Sequence, residues 1–356
     1  MKSYQNGNYN NILFFHKADD YTGSTRALAT VIGAQKATVI TISPSGNGFL
    51  SDMDNVKLVP VLYPKIHGRE IPVFTFLISY VHRILRAVQF ANNVDIFYIN
   101  TISPFYAAII GWLFRKKIIY HIHEKIINPG IIYRIAEFVF NHSSSKTIYV
   151  SNYLRSCYPQ KKGPSEIIYN TLPDVFIDKT IVRSIESRQR NKIIMISSLS
   201  KEKGVDVFVE IAKKMPSYNF SLVLSADAST INSYFQSIPD NLTIFPKQKE
   251  LNHFYYDADL LLNLTQPSVC IETFGLTILE AMIYGIPAIV PNAGGPMELV
   301  VDGFNGFCVN VEESDEIVRS IQRAFEPNIY KKLASNSLIR YNTIFSHESN
   351  HTTVSL

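Results

Sequence analysis

Two carboxylates, Glu272 and Glu280, stand eight positions apart around the turn Phe274-Gly275-Leu276-Thr277. From Leu276 onward, Leu276, Ile278, Leu279, Met282 and Ile283 fall on one face of a helix. Gly285-Ile286-Pro287 stops that helix, and Ala288-Ile289-Val290 reads as a short buried strand. Gly275 is therefore expected just ahead of a helix N-terminus. The first N–H groups of a helix have no intrahelical acceptor and carry the positive end of its dipole, so an anion is stabilised there. A glycine lets a phosphate approach the backbone, and the Thr277 hydroxyl adds a donor. Glu280, one turn inside, is expected to accept hydrogen bonds from paired sugar hydroxyls. Glu272 lies on the far side of the phosphate, where a second sugar fits. A lone helical glutamate is ordinarily a solvated residue and a glycine before a helix an ordinary turn. Two carboxylates flanking an anion site, however, describe a pocket for a nucleotide-diphosphate sugar.

The same stretch continues Gly294-Gly295-Pro296, Glu298-Leu299-Val300 and Asp302-Gly303-Phe304-Asn305-Gly306. Taken whole, residues 272–306 resemble the donor-site signature of retaining glycosyltransferases of family 4, which pair two glutamates with seven residues between them. The resemblance implies the GT-B fold, a nucleotide-sugar co-substrate and no divalent metal. It assigns donor contacts to Phe274, Gly275, Leu276, Thr277 and Glu280, and a role beside the transferred sugar to Glu272. It extends to Ser197-Ser198-Leu199-Ser200-Lys201-Glu202-Lys203-Gly204, which is similar to the family's diphosphate-gripping loop. Lys203 matches the family lysine. Ser198 stands where the family has an arginine, and a serine brings a hydrogen bond but no charge or bidentate fork. Pro246-Lys247-Gln248 falls where the family holds the nucleotide base. Further upstream, His121-Ile122-His123-Glu124 ends a strand whose alternation puts both imidazoles on one side. The resemblance places His123 near the transferred sugar and Gly23, after the first strand, beside the donor phosphate.

The elements that must position these residues alternate along the whole chain. Strands are expected at 11–16, 37–42, 56–62, 94–100 and 117–123, then at 192–196, 220–224, 242–245 and 260–264. Helices are expected over 26–32, 70–92 (with Arg83 and Arg86 on its polar side), 105–114, 312–325 and 328–345. This is the pattern of an α/β chain with doubly wound parallel sheets, and open sheets of this kind bind ligands at their carboxyl edge. The expected organisation is two Rossmann-like domains facing across a cleft. Residues 1–172 form an acceptor domain, 173–190 a charged linker, 191–330 a nucleotide-sugar domain, and 331–356 a C-terminal helix packing back towards the first domain. The apolar run 105–114 is too short to span a bilayer and reads as a buried crossover helix, with an interfacial anchor as the alternative. The N-terminus lacks the apolar core of a signal peptide. The three cysteines, Cys157, Cys270 and Cys308, have neither disulfide-framework nor zinc spacing and suit a reducing compartment.

The net charge of +4 is unevenly distributed. Residues 1–172 carry 18 basic and 9 acidic side chains, and residues 173–356 carry 16 and 21. A basic first half points to an anionic partner, and without a nucleic-acid motif an anionic membrane surface ranks first. The function expected from the resemblance is retaining transfer of a sugar from a nucleotide-diphosphate donor to a glycan or lipid-linked acceptor, in bacterial surface polysaccharide synthesis. The expected place is the cytoplasm, on the inner face of the cytoplasmic membrane. Catalysis is assigned to His123, Glu272 and Lys203. Two alternatives are a non-hydrolysing sugar-nucleotide epimerase and a non-catalytic two-lobed binding protein.

Overall fold

The structure, a computed structural model, describes residues 11–33, 35–41, 48–59, 73–125, 130–158 and 162–346. The expected strand end at 60–62, the helix start at 70–72 and the C-terminal segment 347–356 lie outside these residues. The chain divides into two compact units, with the division between Tyr169 and Asn170.

The first unit runs β1 (Ile12–His16), α1 (Gly23–Ile32), β2 (Ala37–Thr41), β3 (Val56–Val59), α2 (Val73–Ala91), β4 (Ile96–Asn100), α3 (Phe105–Leu113), β5 (Lys117–Ile122), α4 (Ile131–Ser143), β6 (Lys146–Tyr149), α5 (Asn152–Cys157) and β7 (Ser165–Ile167). Its seven strands are all parallel, in the order β3-β2-β1-β4-β5-β6-β7. The central strands read as unbroken apolar runs because helices cover both faces: every residue of β4 is buried. Phe14, Leu28, Val39, Tyr98, Ile119 and Ile148 form part of one core. Strand order reverses between β1 and β4, which leaves an opening at the carboxyl ends of those two strands.

The second unit runs α6 (Asp174–Asp178), β8 (Lys192–Ser197), α7 (Val205–Lys214), β9 (Asn219–Leu224), α8 (Ala228–Tyr234), β10 (Leu242–Phe245), α9 (Asn252–Asp257), β11 (Leu260–Leu262), α10 (Leu276–Ile283), β12 (Ala288–Pro291), α11 (Pro296–Leu299), β13 (Gly306–Val309), α12 (Ser314–Ala324) and α13 (Pro327–Arg340). Its six parallel strands lie in the order β10-β9-β8-β11-β12-β13, so the reversal falls between β8 and β11. Both units are therefore doubly wound α/β layers, as the alternation of elements predicts.

Three details depart from the sequence reading. Arg83, expected on the polar side of α2, is 5 % exposed. The run 105–114, expected to be buried, is buried only in part: Phe105 to Ala108, Ile110 and Gly111 are covered, while Ile109, Trp112 and Leu113 are exposed. Residues 173–190, expected as a linker, are fastened to the second unit. Arg188 is buried there, its guanidinium donating to the carbonyls of Gly285 and Tyr284, each at 2.6 Å, and to Tyr330 Oη at 3.2 Å. Arg183 pairs at 2.5 Å with Asp259, whose other oxygen accepts from the amides of Asn191 and Lys192. The last described residues, α13 and a π-helical turn at 341–345, pack on α10 of this same unit.

Arg188→Met keeps the aliphatic stem but leaves buried carbonyls without a donor, a loss of about 3 kcal/mol. Urea unfolding followed in the second unit is expected to show it; a change below about 1 kcal/mol contradicts the anchoring role of this side chain.

Candidate active site

The carboxyl edge of the second sheet gathers most of the residues singled out by sequence. β8 ends at Ser197, and Ser198 follows it, exposed at that edge. The chain then makes a tight turn at Lys201–Lys203 and enters α7 through Gly204. Gly204 has φ +75°, and a Cβ there would lie 2.2 Å from the Leu264 carbonyl oxygen, so both backbone conformation and space demand glycine. That close approach holds the Lys203 turn against the segment leaving β11, across the switch point.

The segment after β11 brings Glu272 to the same place. Lys203 Nζ donates to Glu272 Oε2 at 2.6 Å, and both side chains are partly shielded, at 28 % and 22 % exposure. Burial pulls the Lys203 pKa down, but the charge and hydrogen bond of Glu272 outweigh it, so the ammonium titrates above its ordinary value. Glu272 is held from behind by the turn after β12. The Gly295 amide donates to the Glu272 carbonyl at 2.9 Å. Cβ atoms on Gly294 and Gly295 would lie 2.4 Å and 2.2 Å from the carbonyl oxygens of Glu272 and Thr273. These two glycines let two loops pack backbone to backbone.

Gly275 is the residue before α10, with φ +105° in the left-handed region, and its carbonyl accepts from Ile278 and Leu279. No side-chain cap closes the start of α10, at Leu276 and Thr277. Leu276 and Thr277 are half-buried; Phe274 is buried, 6.4 Å edge-on from Phe345. Glu280 sits deeper than the sequence suggests, at 1 % exposure, with Oε2 accepting from Tyr255 Oη at 2.5 Å. Tyr255 in turn stacks on Tyr284. Residues 246–248 follow β10 at the same edge, where the Lys247 amide is tied to the Ala226 carbonyl.

In the first unit His123 belongs to a buried polar chain at the β1/β4 switch point. His123 Nε2 lies 2.7 Å from Asn100 Oδ1, and Asn100 Nδ2 lies 2.9 Å from His16 Nδ1. His16 Nε2 is 3.0 Å from Thr25 Oγ1, which donates to Asp20 Oδ1 at 2.6 Å. One proton arrangement satisfies every link: His123 Nε2–H, the Asn100 amide, His16 Nε2–H and the Thr25 hydroxyl each donate towards Asp20. It makes Nδ1 the acceptor nitrogen of His123. The rings of His121 and His123 lie 4.0 Å apart, as the shared strand face predicts. Burial, with smaller contributions from the neighbouring imidazoles, holds the His123 pKa well below 6.5; burial likewise lowers His16 and takes His121 to about 3. Thr101, next to Asn100, has φ +103°, a strained conformation for a β-branched residue. Its hydroxyl donates to Glu124 at 3.0 Å. Gly23, expected at this edge, is the exposed first residue of α1.

The structure thus joins Lys203, Glu272, Gly275, Leu276 and Thr277 in one site, with Ser198 at the same sheet edge and Glu280 behind it, and gives His123 its own cluster. Sequence reasoning missed Tyr255, His16, Asn100 and Thr25. His16 and Asn100 each end a strand that flanks the switch point, which is the signal that marks them. Among the described residues no group of three or more His, Cys, Asp or Glu is placed to hold a metal ion.

Residues 177–338 match the family of "Glycosyl transferases group 1". That is the unit holding Lys203, Glu272 and Glu280. Over nearly the whole chain the fold resembles HepE from Anabaena, crystallised with UDP: TM-score 0.78 at 21 % identity, covering 96 % of this chain and 97 % of that one. Other HepE crystals hold UDP and glucose, or UDP-glucose. Sucrose-phosphate synthase from Thermosynechococcus elongatus matches with a TM-score of 0.71 at 16 % identity, over 96 % of each chain. The chain has the two-unit plan of GT-B glycosyltransferases. Among curated proteins, a Klebsiella pneumoniae "Uncharacterized 41.2 kDa protein in cps region" is 27 % identical over 136 residues, 37 % of this chain and 36 % of that protein. Sucrose synthase of Thermosynechococcus vestitus is 48 % identical over 61 residues, 17 % of this chain and 7 % of that protein. The chain thus spans well under two thirds of these curated relatives.

The three buried histidines make stability depend on pH. Their folded pKa values lie below that of an unfolded imidazole, so the unfolded chain takes up protons first. Their contribution is full above pH 6.5 and is lost as pH falls below it. Each ring contributes a slope of up to about 1.4 kcal/mol per pH unit. Urea unfolding of the first unit between neutral and mildly acidic pH is expected to steepen accordingly, and His121→Asn to remove about one proton from the slope. An unchanged slope in that variant contradicts the buried neutral state.

Proposed function

We propose that the protein is a glycosyltransferase that takes a sugar from a nucleotide-diphosphate donor, a UDP-sugar, and delivers it to an acceptor hydroxyl with retention of configuration. The observation that carries this reading is the partly shielded Lys203–Glu272 pair beside the uncapped N-terminus of α10. The family match over 177–338 supports the transferase class. The UDP and UDP-glucose in the HepE crystals support the donor.

In this reading the pair is a resting arrangement. When the donor enters, the Lys203 ammonium turns from the carboxylate to the diphosphate, and the N–H groups of Leu276 and Thr277 take its oxygens. Glu272, released from the ammonium, accepts hydrogen bonds from hydroxyls of the transferred sugar, and the Glu280 carboxylate receives the ribose with Tyr255 holding one oxygen. The bond from the sugar's anomeric carbon to the diphosphate breaks, and the bond to the acceptor oxygen forms on the same face. The acceptor's proton passes to the leaving diphosphate. Fixed positive groups at a developing negative charge are the large contribution in such a reaction, and Ser198, in place of an arginine, leaves most of that task to Lys203 and α10. The neutral His123, oriented through Asn100 and His16 within the first unit, is the residue that the family resemblance assigns to the transferred sugar. The acceptor proposed is a lipid-linked glycan of a bacterial surface polysaccharide, at the cytoplasmic face of the membrane. The similarity to a Klebsiella protein in a cps region supports it.

Incubation with UDP-glucose and related donors separates the readings. A transferase releases UDP and glycosylates an acceptor, an epimerase yields an isomeric donor, and a binding protein yields neither. Lys203→Ala is expected to lower turnover by about a hundredfold or more, whereas Lys201→Ala leaves it nearly unchanged. Equal losses in the two variants exclude the assignment of Lys203.

A further inference from the structure

The first unit carries an apolar surface that its own fold does not cover. On α3, Ile109, Trp112 and Leu113 are 39 %, 64 % and 59 % exposed, at positions i, i+3 and i+4 of one helix face. The residues of the opposite side, Ala107, Ile110 and Gly111, are buried, as are Phe105 and Tyr106 in the first turn. On α2, Ile78, Val81 and Leu85 repeat this at i, i+3 and i+7, each about half exposed. On α4, Ile131, Ile135 and Phe138 do so at i, i+4 and i+7, with only Ala136 and Phe140 of that helix buried. α3 packs against both α2 and α4, so the three stripes lie side by side as one patch.

The charges around this patch are mostly positive. Between Val73 and His123 the sole carboxylate is Asp95, and α4 adds only Glu137. Where α3 ends, Arg115, Lys116 and Lys162 line a cavity of about 460 Å³ together with Trp112, Ser143 and Ser145. The helix ends in a paired turn, with the Arg115 amide donating to Trp112 and the Lys116 amide to Gly111. The left-handed position in such an end is ordinarily glycine, yet here it is Arg115, at φ +55°. A long cation is held there against the backbone preference, beside the most exposed side chain of α3.

We propose that the α2–α3–α4 face docks the protein on an anionic lipid bilayer, with the three apolar stripes in the acyl-chain boundary and lipid phosphates in the Arg115–Lys116–Lys162 pocket. Trp112 sits between the two, at the depth where an indole is most stable in a bilayer. Apolar insertion and cationic attraction reinforce each other in interfacial binding of this kind. A bilayer suits the patch better than a second copy of the chain. Self-pairing about a two-fold axis would gather both cationic clusters around one interface with few carboxylates to offset them. The stripes themselves offer no hydrogen-bonding groups except the indole, which suits a fluid apolar phase rather than a partner in fixed register. The surface supplies the orientation that a lipid-linked acceptor requires, but it is independent of the donor chemistry, so either can fail without the other.

Trp112 is the single tryptophan of the chain, so its fluorescence reports on this face alone. The full chain is titrated with phosphatidylcholine vesicles with and without phosphatidylglycerol, at low and at physiological salt, with co-sedimentation in parallel. The expected result is a blue shift of Trp112 emission and sedimentation with the anionic vesicles only, weakened by salt. Arg115→Ala with Lys116→Ala, and separately Leu113→Ser with Phe138→Ser, are expected to lower vesicle binding by about tenfold or more. UDP binding and thermal stability stay unchanged, because all four side chains are at least partly exposed and lie outside the donor site. No blue shift with anionic vesicles overturns the proposal. So does equal binding to neutral vesicles, or a blue shift that follows protein concentration without lipid, which assigns the face to a second copy.

Discussion

The ion pair between Lys203 and Glu272 joins segments 69 residues apart, and the arrangement of the donor edge depends on the backbone that lets them meet. Lys203 reaches its place because Gly204 allows α7 to start against the Leu264 carbonyl. Glu272 reaches its place because Gly294 and Gly295 allow the loop after β12 to press on residues 272 and 273. A Cβ at any of these glycines would lie 2.2–2.4 Å from a carbonyl oxygen of the facing loop, so the loops would have to move apart. The constraint lies in the backbone, and the charges exploit it.

This edge illustrates how far local sequence carries. The α10 helix, its uncapped start at Gly275 and the strand after it follow from a run of apolar residues ended by Gly285 and Pro287, and they appear where the pattern puts them. The side-by-side position of His121 and His123 follows from strand alternation. The depth of Glu280 does not, because the phenol that engages it, Tyr255, comes from another helix and no spacing announces it. Arg188 misleads in the opposite sense. A charged residue among Arg183, Glu186 and Arg190 reads as solvated, yet its guanidinium is used up on carbonyls of the Tyr284-Gly285 turn. Local composition cannot reveal a charge whose partners are distant backbone groups.

The first unit shows the same limit on its apolar side. Hydrophobic periodicity identifies a core-facing stripe only when the other side of a helix is polar. In α3 and α4 apolar residues occupy both sides, so the pattern suggests burial, and the exposed stripe becomes visible only with the neighbouring helices in place. The buried histidine chain is likewise a product of topology: His16 and Asn100 end the two strands that flank the switch point, and His123 directly follows β5, the next strand over. Each unit thus places its reactive groups where doubly wound sheets open, and loop backbone conformation decides which groups those are.

On the proposed function, a nucleotide diphosphate binds through its phosphates at Lys203 and the start of α10. Calorimetric titration of UDP and of uridine into the wild-type protein and Lys203→Ala tests this binding mode. UDP is expected to bind the wild type far more tightly than uridine does, and Lys203→Ala to weaken UDP by about tenfold or more while leaving uridine untouched. UDP binding that is indifferent to Lys203, or no tighter than that of uridine, would overturn it.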